Sequence, residues 1–248
     1  MKGIVLAGGS GSRLFPLTKV TNKHLLPVGS VPMIYHPIGK LLEAGITEIL
    51  IVTGIEHIGH VVSLLGSGSR FGCEFTYRVQ DEAGGIAQAL ALARHFAFGD
   101  RMVALLGDNI FADPLTEYVK NFAVQKSGAR IILKEVHDPE RFGVAELDGD
   151  QVVGIEEKPS HPKSNLAVTG VYMYDSQVFE IARNLKPSIR GELEITDVNN
   201  AYIQREELAC DIFGGWWTDA GTFESLNHAN EQLRNSPNLS HLSALPEK

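Results

Sequence analysis

The chain has 248 residues, 44% of them hydrophobic and 21% charged, the proportions of a globular protein rather than of a disordered one. Its 22 Lys and Arg against 30 Asp and Glu give a net charge of −8, which argues against nucleic acid or an anionic membrane surface as the main partner. Two cysteines without CxxC spacing, Cys73 and Cys210, argue against a disulfide framework or a zinc ribbon and suit a reducing compartment, and no apolar run approaches the roughly 18–20 residues of a membrane helix.

Gly3–Leu6 is an aliphatic run that ends in glycines and predicts a buried strand, not a signal peptide. After Pro32, the residues Met33, Ile34, Ile38, Leu41 and Leu42 fall at helical spacing and stop at Ala44-Gly45, a C-cap. Ile49–Thr53 predicts a second strand, His57–Leu65 a helix ending at Gly66, and Glu74–Val79 a third strand. Ile86–Phe96 predicts a helix, and Met102–Leu106 a fourth strand broken by Gly107-Asp108-Asn109. Strands alternating with helices imply right-handed βαβ units on a mostly parallel sheet, with ligands at the carboxyl ends of the strands. The loops near residues 8–13, 80–85 and 107–109 are therefore the candidate site.

From residue 129 the texture changes. Ile131–Val136, Gly143–Leu147, Gln151–Glu156 and Ala167–Tyr174 predict strands, with Asp148-Gly149-Asp150 as a tight hairpin turn. Helices return at Gln177–Asn184 and Thr196–Gln204, and at Thr222–Leu233 after another strand. The tail, residues 235–248, reads as loosely ordered. The economical architecture is one α/β domain over residues 1–234 with an inserted β-rich substrate lobe.

Charge is unevenly spread. Residues 1–42 hold Lys2, Arg13, Lys19, Lys23 and Lys40 and no acid, so the remainder carries 17 basic residues against all 30 acids. A cationic segment in an acidic chain suits a small anion, although surface clustering by chance explains it equally well. Gly8-Gly9-Ser10-Gly11-Ser12-Arg13 follows the first strand, where glycines let backbone N–H groups approach a phosphate and Arg13 adds a guanidinium fork. A dinucleotide fingerprint would need glycine where Leu14 stands and an acid about 20 residues later, and residues 14–42 hold none. A Walker loop would need Gly-Lys-Ser/Thr, which is missing. Both competitors fail on spacing, and a dehydrogenase is set aside with the first.

Gly8 through Thr18, then Lys23-His24-Leu25-Leu26-Pro27-Val28 and Pro32-Met33-Ile34-Tyr35, resemble the signature of the sugar-1-phosphate nucleotidylyltransferases, closest to the glucose-1-phosphate thymidylyltransferases. The resemblance runs in order through Gln80, Gly85-Ile86-Ala87-Gln88-Ala89, Gly107-Asp108-Asn109, Asp138-Pro139-Glu140-Arg141-Phe142-Gly143, Glu157-Lys158-Pro159, Ala167-Val168-Thr169-Gly170, Gly191-Glu192-Leu193-Glu194 and Trp217-Thr218-Asp219. It covers residues 2 to about 230. It implies a Rossmann-like, mostly parallel sheet flanked by helices, with a nucleotide-binding part over about 1–128 and a β-rich sugar-binding part over about 129–234.

The implied reaction is transfer of a nucleotidyl group from dTTP to glucose 1-phosphate, with Mg2+, giving dTDP-glucose and pyrophosphate. The sugar phosphate is already an anion at pH 7, so the enzyme needs cations and in-line geometry rather than a base. The resemblance assigns the chemistry to Arg13, Lys23, Asp108, Lys158 and Asp219. Gly8, Gly11, Ser12, Gln80 and Gly85 join Arg13, Lys23 and Asp108 around the nucleotide. Asn109, Gly143, Glu157, Lys158 and Val168 take the sugar phosphate, with Glu194 in reach of the same pocket, and Asp108 and Asp219 hold the metal. Read alone, Asp108 suits an Asx turn and Asp219 a helix cap as well as a metal.

Two departures from the family pattern stand out: Ser12 replaces the usual Thr, and Ala83-Gly84-Gly85 lacks the acid common before the second glycine. Thymine and uracil differ by one methyl, worth about 1–3 kcal/mol in an apolar pocket, so discrimination between dTTP and UTP is expected to be partial. UTP, another sugar 1-phosphate, or a catalytically silent nucleotide-sugar-binding protein are the alternatives. His24, His36, His57, His60 and His95 show no metal-ligand spacing, and the two cysteines read as small buried hydrophobes. A cytoplasmic homo-oligomer is expected. The longer family members carry extra C-terminal helices linked to regulation, which leaves open whether such a regulatory site exists here.

Overall fold

The first strand, β1 (Lys2–Ala7), is central to a nine-stranded sheet in the computed structural model, which describes residues 1–235. A short hairpin of β2 (Pro27–Val28) and β3 (Val31–Pro32) leads to α1 (Tyr35–Glu43), β4 (Glu48–Gly54), α2 (Ile58–Leu65) and β5 (Glu74–Gln80). Helices α3 (Ile86–Ala91) and α4 (Arg94–Ala97) precede β6 (Met102–Leu106), β7 (Asn109–Phe111) and α5 (Leu115–Val124). The second half runs β8 (Ala129–Glu135), β9 (Gly143–Asp148), β10 (Gln151–Glu157), β11 (Leu166–Tyr174), α6 (Val178–Asn184) and α7 (Ile195–Gln204). It closes with β12 (Leu208–Ile212), β13 (Trp217–Asp219) and α8 (Phe223–Asn235).

Strands β5, β4, β1 and β6 are mutually parallel, and β11 joins β6 antiparallel to bring in β8, β9 and β10; β12 adds parallel to β8. The aliphatic runs of β1, β4 and β6 are buried because both faces are covered. Ile4, Leu6, Leu50 and Ala104 face α3, α4, α6 and α7, while Val5, Ile51, Val103 and Leu105 face α1, α2 and α5. Register sets Leu6 beside both Val52 and Leu106, so the chain leaves β1 and β6 at one edge of the sheet, with β4 beside them.

A smaller apolar cluster shapes the site. Leu14, Leu26, Val28 and Met33 from the N-terminal loops pack with Ile110, Ala220 and the α8 residues Leu226, Ala229 and Leu233. Thr222 caps α8, its Oγ1 accepting from Ser225 N at 3.1 Å, so the cap role open to Asp219 falls to Thr222.

The helix expected over 86–96 divides at Leu92-Ala93, where Leu92 N and Ala93 N donate to carbonyls three residues back, a tightened turn. Helix α5 lay outside the sequence expectation, although Leu115, Val119 and Phe122 carry its period. Asn109, expected in the break Gly107-Asp108-Asn109, instead begins a strand, Asn109–Phe111, because Trp217–Asp219 pairs with it from far along the chain. Cys73 and Cys210 are half-buried rather than buried, and loss of solvation pushes the Cys73 thiol up to about 11. Asn235 ends α8, and the rest of the expected tail lies outside the described residues. Among the described residues no helix is long and apolar enough to cross a membrane.

Candidate active site

The carboxyl ends of β1, β5 and β6 open onto a cleft of about 390 Å3, whose far wall comes from β10, β11 and the segment before α7. Gly8 lines it; a Cβ there would stand 2.9 Å from Gln80 Oε1, so any larger residue would push that amide aside. Gly11 holds φ +61° in the left-handed region, and a Cβ would approach Thr18 Cγ2 to 2.9 Å. The turn Ser12–Leu14 then drops Leu14 into the α8 cluster and leaves Arg13 exposed at the cleft. Arg13 Nη2 lies 3.1 Å, and Asp108 Oδ2 3.6 Å, from where a Gly221 Cβ would be, so that glycine leaves room for the guanidinium near Asp108.

Lys23 enters on a second turn, Lys23–Leu25. Asn22 Oδ1 accepts from His24 N at 2.8 Å and lies 2.6 Å from His24 Nδ1, while Asn22 Nδ2 donates to Ala7 O at 3.3 Å, tying the turn to β1. The His24 ring fills the space left by Gly107, where a Cβ would come within 2.6 Å of it. Burial first, and then the Lys23 charge, push His24 down to about 3, so it is neutral at pH 7 and the Asn22 oxygen fixes its proton on Nδ1.

Lys23 Nζ meets Asp108 Oδ2 at 2.5 Å, and Asn109 Nδ2 donates to Asp108 Oδ1 at 3.1 Å. Burial alone would raise the Asp108 carboxyl; the Lys23 ammonium and these hydrogen bonds outweigh it and hold Asp108 well below the usual carboxylate range. Asp219 arrives on β13 opposite Asn109. It is raised to about 6, by burial first and by the Asp108 charge second, against Arg141, Arg13 and Lys23. Arg141 reaches it from the other side, with Nη2 3.4 Å from Asp219 Oδ1 and Nη1 2.5 Å from Asp138 Oδ2.

Asp108 and Asp219 thus repel each other across a space fed by cations, and hard oxygens from two strand ends suit a divalent ion such as Mg2+. Among the described residues no group of three or more His, Cys, Asp and Glu side chains can hold a metal, so an ion here would take its remaining ligands from phosphate oxygens and water.

At one end of the cleft Gln80 is buried, its Nε2 donating to Gln88 Oε1 at 2.7 Å and Gly85 O at 3.2 Å. Both amide hydrogens are thereby used, and Oε1 remains as the acceptor. Gly85 holds φ +100°, and a Cβ there would lie 2.4 Å from Leu193 O. At the other end Glu157 Oε2 accepts from Thr196 Oγ1 at 2.7 Å, beside Gly143, whose Cβ would stand 3.2 Å from that hydroxyl. Lys158, at φ +46°, and Arg190 lie 3.7 and 3.4 Å from Glu157 Oε1. Arg190 also pairs with Glu194 at 2.8 Å, which Ser188 Oγ supports at 2.7 Å.

Of the residues singled out from sequence, Gly8, Arg13, Lys23, Gln80, Gly85, Asp108, Asn109, Gly143, Glu157, Lys158, Val168 and Asp219 all line this cleft, as does Glu194. Gly11 and Ser12 stand outside the lining and shape the turn instead. Asn109 is less free than expected: its Oδ1 accepts from Gly170 N at 2.8 Å and Trp217 Nε1 at 2.7 Å, which makes it a brace for Asp108. Arg190, Thr196 and the brace His24 were not singled out. A lone arginine in a Pro-containing loop has no spacing to mark it, whereas His24 adjoins Lys23.

The profile described as Nucleotidyl transferase matches residues 2–236. The chain belongs to the nucleotidyl transferase family. It is 46% identical over 254 aligned residues to the glucose-1-phosphate thymidylyltransferase of Neisseria meningitidis serogroup A, covering 100% of this chain and 88% of that one. The Mycobacterium tuberculosis enzyme of that name is 43% identical, with 94% and 82% covered. A Bacillus anthracis structure named for the same activity, in complex with sucrose, is 61% identical, with a TM-score of 0.92 and 95% and 96% covered. UDP-glucose pyrophosphorylase complexed with UDP-glucose shares the fold at a TM-score of 0.85 and 24% identity, with 95% and 98% covered. As a nucleotidyl transferase, the chain carries its cations and carboxylates on the edge where the fold binds ligands.

Proposed function

We propose that this chain transfers the thymidylyl group of dTTP to glucose 1-phosphate, releasing pyrophosphate, with Mg2+ held by Asp108 and Asp219. The reading rests on one observation above all: Arg13 and Lys23 share a cleft with the Asp108–Asp219 pair, flanked by an amide-lined end and by an end with two further cations. The names of the 41–46% identical relatives support the same substrates.

A sugar phosphate oxygen forms the new bond to the α-phosphorus as the bond to pyrophosphate breaks. Arg13 and Lys23 neutralise the triphosphate and the leaving pyrophosphate, and Lys158 and Arg190 draw in the sugar phosphate, offsetting the repulsion between two anions. Glu157 accepts from sugar hydroxyls, and Gln80 Oε1 accepts the N3–H of the base. A bound Mg2+ would stabilise developing charge and orient phosphate oxygens. A cytoplasmic setting and a homo-oligomeric state belong to the same reading.

The test is pyrophosphate release with dTTP, UTP, ATP and GTP against several sugar 1-phosphates, with and without Mg2+. The reading expects the fastest turnover with dTTP and glucose 1-phosphate and none without a divalent ion. Turnover with ATP or GTP alone would remove the pyrimidine assignment, and nucleotide-sugar binding without turnover would favour the silent protein.

A further inference from the structure

The two carboxylates sit at one end of a ribbon made of two three-residue strands, β7 and β13. So short a ribbon carries few hydrogen bonds with which to hold two repelling charges in register. Its other end is gripped by groups that do not touch the cleft. Lys40 on α1, 1% exposed, donates from Nζ to Asp113 O at 2.8 Å, Ala112 O at 3.1 Å and Glu43 Oε2 at 3.3 Å, 5.0 Å from the centre of the Phe111 ring. These bonds hold the chain leaving β7.

The Asp113 carboxylate holds the chain entering β13. Its Oδ1 accepts from Gly215 N at 2.6 Å, and its Oδ2 accepts from Gly214 N at 2.9 Å and Tyr118 Oη at 2.7 Å. A Cβ on Gly215 would fall 2.2 Å from Asp113 Oδ1, so the glycine is what admits the carboxylate. Ala112 N closes the frame on Trp216 O at 3.0 Å. Sequestering an ammonium costs solvation, and the fold does so where the Lys40 bonds tie α1 to the chain that leaves this ribbon.

We propose that Lys40 and Asp113 are positioning residues for the divalent-ion site: by locking the far end of the β7–β13 ribbon they set the placement of Asp108 and Asp219. The proposal rests on the metal assignment above. Its test uses the full chain and three measurements: Mn2+ affinity by electron paramagnetic resonance, alone and with dTTP; kcat and KM across Mg2+ concentrations; and thermal unfolding.

Asp113→Asn keeps the volume while putting an amide hydrogen against glycine N–H groups. It is expected to weaken Mn2+ binding by about 10- to 100-fold, as loss of a group supporting metal ligands does. Turnover should fall at low Mg2+ and recover at high Mg2+, with KM for glucose 1-phosphate unchanged. Lys40→Met is expected to act the same way. Gly215→Ala displaces the same carboxylate and keeps the test open should Lys40→Met fail to fold; combined with Asp113→Asn it should add nothing. A lowered Tm with Mn2+ affinity intact, or a rate loss that Mg2+ does not repair, would overturn the proposal. Asp219→Asn is the control: if it binds Mn2+ as tightly as the wild type, the metal assignment itself has failed, whereas weakened binding there with intact binding in Asp113→Asn sinks the positioning role alone.

Discussion

Asp219 stands directly across the β7–β13 ribbon from Asn109, and the amide that follows it, Ala220 N, donates to Asp108 O at 2.8 Å. Asn109 in turn gives Nδ2 to the Asp108 carboxylate. One strand pairing therefore brings both acids together, and Asp219 bears the cost: burial first, and the Asp108 charge second, raise its carboxyl from 3.8 to about 6.

That shift predicts what Asp219→Asn does. A carboxyl whose folded pKa lies above its unfolded value adds stability at low pH and loses it as pH rises through the folded value. Wild type should lose stability relative to Asp219→Asn between about pH 4 and pH 6, and the variant should be more stable at pH 7 by up to about 3 kcal/mol without a divalent ion. Turnover should be nearly abolished. Thermal unfolding from pH 4 to 8 in chelator checks the sign; a variant less stable at pH 7 than wild type would contradict it.

Lys23 and Asp108 are both largely buried, so removing one leaves the other uncompensated. Lys23→Met should destabilise the fold by about 3–5 kcal/mol in chelator. A divalent ion can then take over the charge Lys23 supplied. Mg2+ should raise the Tm of Lys23→Met more than that of the wild type, and equal shifts would show that the ion does not meet Asp108.

The parts of this site that sequence carried are those in which local chemistry and strand ends coincide. The glycine loop with Arg13 follows a short-range pattern, a buried strand and then residues suited to anions at its carboxyl end. Asp108 falls at the matching end of the fourth strand, although its metal role came from the resemblance. Asp219 owed its place to family resemblance, because its partner Asn109 lies in a distant strand too short to show a period of two. Arg190 was illegible for a related reason: its meaning comes from Glu157 and Glu194, which meet it only after folding. Gly11 and Ser12 have the composition of a phosphate loop, yet the left-handed turn directs them away from the cleft lining. Helix α5 was missed although its apolar residues keep a helical period, and the division of the 86–96 helix carries no sign in its Ala-rich sequence, which holds no breaker.

Gln80 offers a test of the base end. With both amide hydrogens engaged by Gln88 and Gly85, only Oε1 is left for a ligand. Gln80→Glu keeps that acceptor but gives up the two donated bonds, so the loop carrying Gly85 should loosen. KM for dTTP is expected to rise about tenfold, in line with a lost buried hydrogen bond of about 1.5 kcal/mol, while KM for glucose 1-phosphate stays put. Steady-state kinetics with each substrate varied decides it, and a change confined to the sugar phosphate would put Gln80 at the wrong end of the cleft.

Lys158 holds φ +46°, a conformation that costs a side chain with a Cβ about 1–2 kcal/mol, whereas glycine adopts it freely. Glycine gives back about 0.5–1 kcal/mol in unfolded-state entropy, so Lys158→Gly should unfold at the wild-type temperature or slightly above it. Its activity should go the other way: with the ammonium beside Glu157 gone, KM for glucose 1-phosphate should rise by at least about tenfold, the cost of a lost charge-assisted contact of about 1.5 kcal/mol or more, and KM for dTTP should hold. Lys158→Ala keeps the strained backbone and removes the charge alone, so it should match the glycine variant in kinetics and fall below it in Tm. A glycine variant clearly less stable than the alanine one would mean that the left-handed backbone at this position carries no cost. An effect confined to dTTP would mean that Lys158 serves the nucleotide.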